Sequence, residues 1–279
     1  MTDSSESKSP WSASYRLIAA EKWKAKSAAM GRDVTEALVE NARAQPGWNV
    51  LDLASGTGEP GISLAMRVGP EGHVTALDLS ADLLEIANER ACQRGLTNFS
   101  TRQADAHDLP FPEASFDLVT CRFGVMFFAD VSKALAEIHR VLKSGGRCCF
   151  AAWGPFEQPY WSSTMAIVHA TVGGPLISSG GPDMFRFARP GSLSAELRRS
   201  GFEAEEETRT VPWTWPGGVD EVWEYVQVVS TPFRPLLDRV PKDKWDATNA
   251  EVLAAIGKCV DGDSVKFGAV VVLAAGTKR

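Results

Sequence analysis

Apolar positions along residues 48–153 switch repeatedly between two periods. Short runs at 50–53, 73–79, 99–103, 116–122 and 147–153 read as strands. The stretches between them space their apolar residues as helices do. Residues 81–94 place Leu83, Leu84, Ile86, Ala87 and Ala91 on one side, and 131–142 do the same with Ala134, Leu135, Ile138 and Val141. Punctuation agrees with this division. Pro60 suits the first turn of a helix over 59–68, Ser80 suits a cap, Gly95 a helix end, and residues 69–72 and 143–146 are turns. Strands alternating with helices at this interval predict an α/β fold with a doubly wound, mostly parallel sheet. Ligands of such sheets lie outside the carboxyl ends of the strands. Asp52, Asp78, Asp105 and Arg122 all fall at that edge.

The flanks have a looser pattern. Residues 11–30 set Trp11, Tyr15, Leu17, Ile18 and Trp23 among Ala and Lys, an amphipathic helix, and Asp33 is placed to cap a second helix over 34–43. Beyond Trp153, prolines and glycine pairs break up residues 154–191. A helix over 192–200 leads to a strand over 202–211, Glu205 to Glu207 marking the strand as an exposed edge. Residues 212–265 are irregular and rich in aromatics, and 266–275 read as a closing strand. The expected architecture has seven strands. Residues 1–10 form a frayed tail, 11–46 an N-terminal helical cap and 47–153 the ligand-binding core. Insertions at 154–191 and 212–265 cover the substrate, while 192–211 and 266–279 complete the core.

Composition narrows the function. The 279 residues are 44% hydrophobic and 23% charged with a net charge of −6. That balance offers no broad basic field for a nucleic-acid backbone. Five cysteines, odd in number, show no metal-ligand spacing and are read as reduced. Cys148 and Cys149 are neighbours in a strand and should face opposite ways. No apolar leader precedes Trp11 and no run of 18 apolar residues occurs, so a cytoplasmic protein with no transmembrane segment is expected. Nothing marks an oligomeric state.

The densest chemistry lies at 48–61. There an apolar run ends in Ala54-Ser55-Gly56-Thr57-Gly58 and enters a helix, bringing backbone N–H groups and a helix dipole to one point. Gly56, Gly58 and Gly61 satisfy a dinucleotide pattern, and Asp78 falls about 20 positions past Gly58, where that fold needs an acid for ribose. Asp52, however, lodges a carboxylate within the strand just before the loop. A pyrophosphate there would meet a buried negative charge, whereas a ligand bearing an ammonium group would be favoured.

Further segments point the same way: Ala76-Leu77-Asp78-Leu79-Ser80, Ala104-Asp105-Ala106 with Leu109-Pro110-Phe111, Phe116-Asp117-Leu118-Val119, and Val141-Leu142-Lys143-Ser144-Gly145-Gly146-Arg147. In this order, over about residues 34–153, the chain resembles the class I S-adenosylmethionine-dependent methyltransferases, and most of all the ubiquinone and menaquinone C-methyltransferase group. The resemblance implies S-adenosylmethionine as cofactor. Asp52, Ala54, Gly56 and Thr57 would surround its methionine part, Asp78 would hold the ribose, and Leu79 would lie on the adenine. Asp105 and the Ala106 N–H would read the adenine edge, and the Arg122 carbonyl would accept from the amine. Ala54 stands where the family more often has glycine, a departure of small consequence if φ is negative there. Ser144 replaces a usual proline.

Methyl transfer needs position more than a catalytic group, and a base only for a phenol, an alcohol or an acidic carbon. His107, His139, His169, Tyr15 and Tyr160 are the candidate bases, and none is assigned. Trp11, Trp23, Trp153, Trp161, Trp213, Trp215 and Phe185 favour a lipophilic or aromatic small-molecule acceptor, modified on oxygen or carbon. No Asp-Pro-Pro-Tyr or Asn-Pro-Pro-Tyr comes after the fourth strand, which with the charge argues against nucleic acid. Two alternatives stay open, a protein-directed or non-catalytic S-adenosylmethionine binder and an NAD-dependent oxidoreductase.

Overall fold

The computed structural model describes residues 22–177, 181 and 183–279. The tail at 1–10, and Trp11, Tyr15, Leu17 and Ile18 of the expected first helix, lie outside the described residues. Within the described chain a short helix α1 (Lys24–Met30) and a longer one, α2 (Arg32–Ala42), are separated by Gly31. Asp33 sits inside the first turn of α2 and Gly31 holds the cap position, so the carboxylate meets the helix dipole without serving as the expected cap.

The core alternates as its periods predict. Strands β1 (Asn49–Leu53), β2 (His73–Asp78), β3 (Phe99–Gln103), β4 (Phe116–Arg122) and β5 (Leu142–Trp153) run parallel, joined by α3 (Gly61–Val68), α4 (Ala81–Gln93) and α5 (Val131–Val141). Val50, Leu51 and Leu53 of β1 are fully buried, as befits a central parallel strand covered on both faces. Ser80 caps α4 by accepting the Leu83 N–H, and Asp130 caps α5 by accepting the Lys133 N–H. Within β5 the sheet register jumps between Leu142 and Arg147, so the expected turn at 143–146 survives as an excursion inside one strand.

Beyond β5 come α6 (Pro159–Ser162), α7 (Met165–Val172), α8 (Ser192–Arg199) and β6 (Phe202–Trp215), then α9 (Val219–Val229), α10 (Arg234–Leu237) and α11 (Lys242–Gly257). The chain closes with β7 (Val260–Asp261) and β8 (Ser264–Lys278). The sheet order is β3-β2-β1-β4-β5-β8-β6, with β8 antiparallel to both neighbours. It has eight strands where seven are expected, the extra one being the two-residue β7 that forms a hairpin with β8. β6 also runs four residues past its expected end at 211, through Pro212 to Trp215. As the edge strand it pairs only with β8, so Pro212 breaks no interior ladder, and Val211, Trp213 and Trp215 alternate inward. The 16-residue α11 escaped the periodicity because Thr248, Val252 and Ile256 are its only buried positions, too narrow a stripe to stand out.

Candidate active site

The sheet order reverses between β1 and β4, and a cavity of about 570 Å³ opens above the carboxyl ends of the strands there. Eight of the nine residues predicted to touch a cofactor line it: Ala54, Gly56, Thr57, Asp78, Leu79, Asp105, Ala106 and Arg122. The turn after β1 is held from below. Asp78 at the tip of β2 accepts the Gly56 N–H at 2.9 Å through Oδ2 and the Ser80 N–H at 3.0 Å through Oδ1. These bonds leave lone pairs on both oxygens for a ligand. Gly56 has φ 53°, and a Cβ there would meet no protein atom, so the main chain itself forms the wall.

Ala54 corrects one expectation. Its φ is 50°, left-handed rather than negative, which costs an L-residue about 1 kcal/mol. The reason lies opposite: a Cβ on Gly124 would come within 2.5 Å of the Ala54 Cβ, so the two turns after β1 and β4 interlock, and only one of the pair carries a side chain. Phe123 beside it is left-handed too, with φ 58°.

Asp52 is the ninth predicted residue, and it does not line the cavity. Its carboxylate is fully buried beneath the loop, where Oδ1 accepts from Thr120 Oγ1 at 2.7 Å and Oδ2 from the Gly61 N–H at 3.1 Å. Burial pushes its pKa up to about 7, against those hydrogen bonds and the field of Arg122. A carboxyl placed there ties β1, β4 and the start of α3 together. A further carboxylate residue at the cavity, and one that sequence reasoning missed, is Glu59, whose Oε2 accepts from Ser63 N and Oγ.

Asp105 and His107 form a small turn at the far end. Asp105 Oδ1 accepts from the His107 backbone N–H at 2.9 Å and from His107 Nδ1 at 2.5 Å, while His107 Nε2 accepts the Asp130 N–H. Burial would raise the Asp105 carboxyl, but these bonds outweigh it and hold the group below the usual range. Both ring nitrogens of His107 are thereby committed, so it orients Asp105 and the start of α5 and is poorly placed to take a proton. The Asp105 side chain remains 53% exposed and Leu79 48% exposed at this end.

The opposite half of the cavity is aromatic. Phe123 stacks on Trp153 at 4.4 Å and 15°, and Trp153 in turn stacks on Tyr160 and meets Trp161 and Trp213 edge-on. Of the residues expected there, Trp153, Trp161 and Trp213 line the cavity. Trp23, Trp215 and Phe185 do not: Trp23 packs edge-on to Tyr225, Trp215 is fully buried, and Phe185 packs on Phe156. Met126, Phe127, Phe128, Met184 and Tyr225 complete the wall and were not foreseen. The Phe127-Phe128 pair after β4 was the available signal. Trp161 Nε1 and, on the loop side, Ser55 Oγ are buried without hydrogen-bond partners among the described residues.

The remaining candidate bases separate clearly. His139 packs on Phe202 and His169 on the Gly174 carbonyl, both away from the cavity, and Tyr15 lies outside the described residues. Tyr160 is at the cavity, but burial pushes its phenol well above the usual range. No group of three or more His, Cys, Asp or Glu among the described residues could hold a metal, and no described helix is long and apolar enough to cross a membrane.

The sheet is doubly wound, with a glycine turn after β1 and acids at successive strand tips, and residues 44–171 match the family model described as Methyltransferase domain. Among curated proteins, the chain is 44% identical over 119 residues to the demethylmenaquinone methyltransferase of Listeria monocytogenes, covering 43% of this chain and 50% of that one. It is 46% identical over 110 residues to a ubiquinone/menaquinone biosynthesis C-methyltransferase of Xanthomonas oryzae, covering 39% and 44%. The chain thus spans about half the length of the curated relatives it matches. A putative methyltransferase from Bacillus halodurans shares the fold at TM-score 0.55 and 22% identity, over 88% of this chain and 98% of that one. A putative sarcosine dimethylglycine methyltransferase from Galdieria sulphuraria does so at TM-score 0.57 and 14% identity, over 95% and 98%.

Proposed function

We propose that the protein transfers the methyl group of S-adenosylmethionine to a lipophilic or aromatic small molecule, with oxygen or carbon as the favoured acceptor atom. The observation that carries this reading is a single cavity with two unlike ends, a polar strand-tip end and an aromatic end. Its volume of about 570 Å³ falls in the ordinary range for small-molecule sites.

The residues present fit the cofactor. Asp78 is oriented by two backbone donors with acceptor capacity left for both ribose hydroxyls. The bare main chain at Gly56 allows close approach, and the partnerless Ser55 Oγ supplies a polar contact at the same wall. Leu79 offers an exposed apolar surface for the adenine, while Asp105 and the Ala106 N–H read its edge. Ala54, Gly56, Thr57 and the Arg122 carbonyl surround the methionine part. Asp52 acts from beneath, by fixing the loop.

Bound there, S-adenosylmethionine supplies a methyl group already activated on a sulfonium. The chain's own contribution is to hold the acceptor and keep water out, an effect worth roughly 7–11 kcal/mol when orientation is complete. Trp153, Trp161, Trp213 and Phe123 provide flat apolar walls for this. The two curated relatives are named for demethylmenaquinone and for ubiquinone and menaquinone biosynthesis, which accords with a lipophilic ring as acceptor.

The test is incubation with S-adenosylmethionine carrying a labelled methyl and a panel of quinols, phenols, and terpenoid or polyketide lipids. Label should move into an organic-extractable product. Label retained only in precipitated protein would favour the protein-directed alternative, and no transfer to any acceptor would remove the small-molecule reading.

A further inference from the structure

Arg122 is the one strand-tip residue whose side chain the proposed function leaves unused. Arg122 lines the cavity, and its Nη1 donates to Thr35 Oγ1 at 2.5 Å and to the carbonyl of Gly31, itself a lining residue, at 3.3 Å, which clamps the guanidinium against the start of α2. Among the described residues, Nε and Nη2 make no hydrogen bond, and no carboxylate lies within the 4.0 Å of an ion pair. A guanidinium carries five N–H donors in a fixed fork and does not lose its charge in a protein. Here burial acts against that charge, and Glu59 and Asp52 offset it only from a distance. A cation held beside a cavity with Nε and Nη2 unspent keeps the paired donors that a planar anion needs.

The charges around it set which anion. Glu59 lines the same end of the cavity, is 18% exposed and lies 3.9 Å from Arg94 without a hydrogen bond to it. A phosphate or pyrophosphate approaching Arg122 would also approach Glu59. A zwitterion meets both: one positive and one negative wall group match one carboxylate and one ammonium. Ser27, Ala28 and Gly31 also line the cavity, Gly31 beside Arg122.

We infer that the Arg122 guanidinium anchors the carboxylate at the amino-acid end of the cofactor, with Glu59 facing its ammonium. This rests on the S-adenosylmethionine reading, and it changes the expected partners: the ammonium is met by Glu59 rather than by the buried Asp52, and selection against dinucleotides comes from the paired charges. Arg122 is then a specificity residue for an amino-acid-bearing nucleoside.

Calorimetry with three ligands tests it. S-adenosylmethionine and its decarboxylated form both carry the sulfonium; the first adds a carboxylate and an ammonium, the second the ammonium alone, and 5′-methylthioadenosine carries none of the three. Arg122→Met should weaken S-adenosylmethionine roughly tenfold or more while leaving the other two within twofold. Arg122→Lys, which keeps the charge and loses the fork, should show the same selectivity with a smaller loss, and it stands in if the methionine variant does not fold. Glu59→Gln should weaken both amine-bearing ligands and spare 5′-methylthioadenosine. Equal weakening of all three ligands by the Arg122 variants would show a merely structural role and overturn the inference, as would undiminished binding of S-adenosylmethionine. Should the wild type bind none of the three, the proposed function itself fails, which is a separate result.

Discussion

The two ends of the cavity are built on opposite plans. At the strand-tip end, the carboxylates are fixed by hydrogen bonds from nearby backbone: Asp78 by Gly56 and Ser80, Asp105 by His107, and Asp52, beneath the loop, by Gly61. At the aromatic end, rings from β4–β5, α6 and β6 fix one another by stacking, with Trp153 at the centre of four ring contacts. The first plan preserves geometry at the level of single hydrogen bonds and suits a cofactor whose polar groups never change. The second fills space without directional bonds and suits an acceptor recognised by shape and apolar area.

The largest expected effect falls on the aromatic end. Trp153→Ala removes the ring on which the others lean and should lower unfolding free energy by roughly 3–5 kcal/mol in denaturant titrations. Cofactor affinity in the folded fraction should change little if the two ends are independent. Asp78→Ala does the converse: it should weaken S-adenosylmethionine by roughly 2–4 kcal/mol, because two charge-assisted bonds to the ribose are lost with the anchor of Gly56. Unchanged affinity would break the assignment of the strand-tip end.

The next effect is spread over pH. The folded pKa of Asp52, about 7, lies above the unfolded value of 3.8, so the native state keeps a proton that the unfolded chain has lost. The contribution of Asp52 to stability therefore falls as pH rises from about 4 to about 7, by at most about 1.4 kcal/mol per pH unit, and is flat above. Asp52→Asn should erase that slope, visible as a wild-type minus variant difference that varies with pH. A difference constant across the window would contradict it. The smallest change is Ala54→Gly, which should raise stability by about 1 kcal/mol by relieving the left-handed backbone. It should leave acceptor methylation intact.

The same contrast explains what the sequence made legible. The strand-tip end is assembled from short segments directly after strands, each announced by its own turn residues, so Gly56, Asp78, Leu79, Asp105 and Ala106 could be placed from local pattern alone. Asp52 was expected at the cavity and does not line it, because alternation along a strand says only which face a side chain takes, and here that face lies beneath the loop, against Thr120. The aromatic end joins Phe123 to Trp161, Met184, Trp213 and Tyr225, partners that only the fold brings together. Composition gave its character there but could not tell Trp213, which lines the cavity, from Trp215, two positions on in the same strand and buried in the core. His107 could not be assigned from sequence for a related reason: its Nε2 accepts from the N–H of Asp130, a residue set beside it by the start of α5.

The proposed function turns on the strand tips selecting a phosphate-free adenosine ligand with an amino-acid end. Calorimetric titration of the wild-type protein with S-adenosylmethionine, its demethylated product and NADH tests this most directly. Saturable binding of the first two and none of NADH is the expected result; a preference for NADH would contradict it.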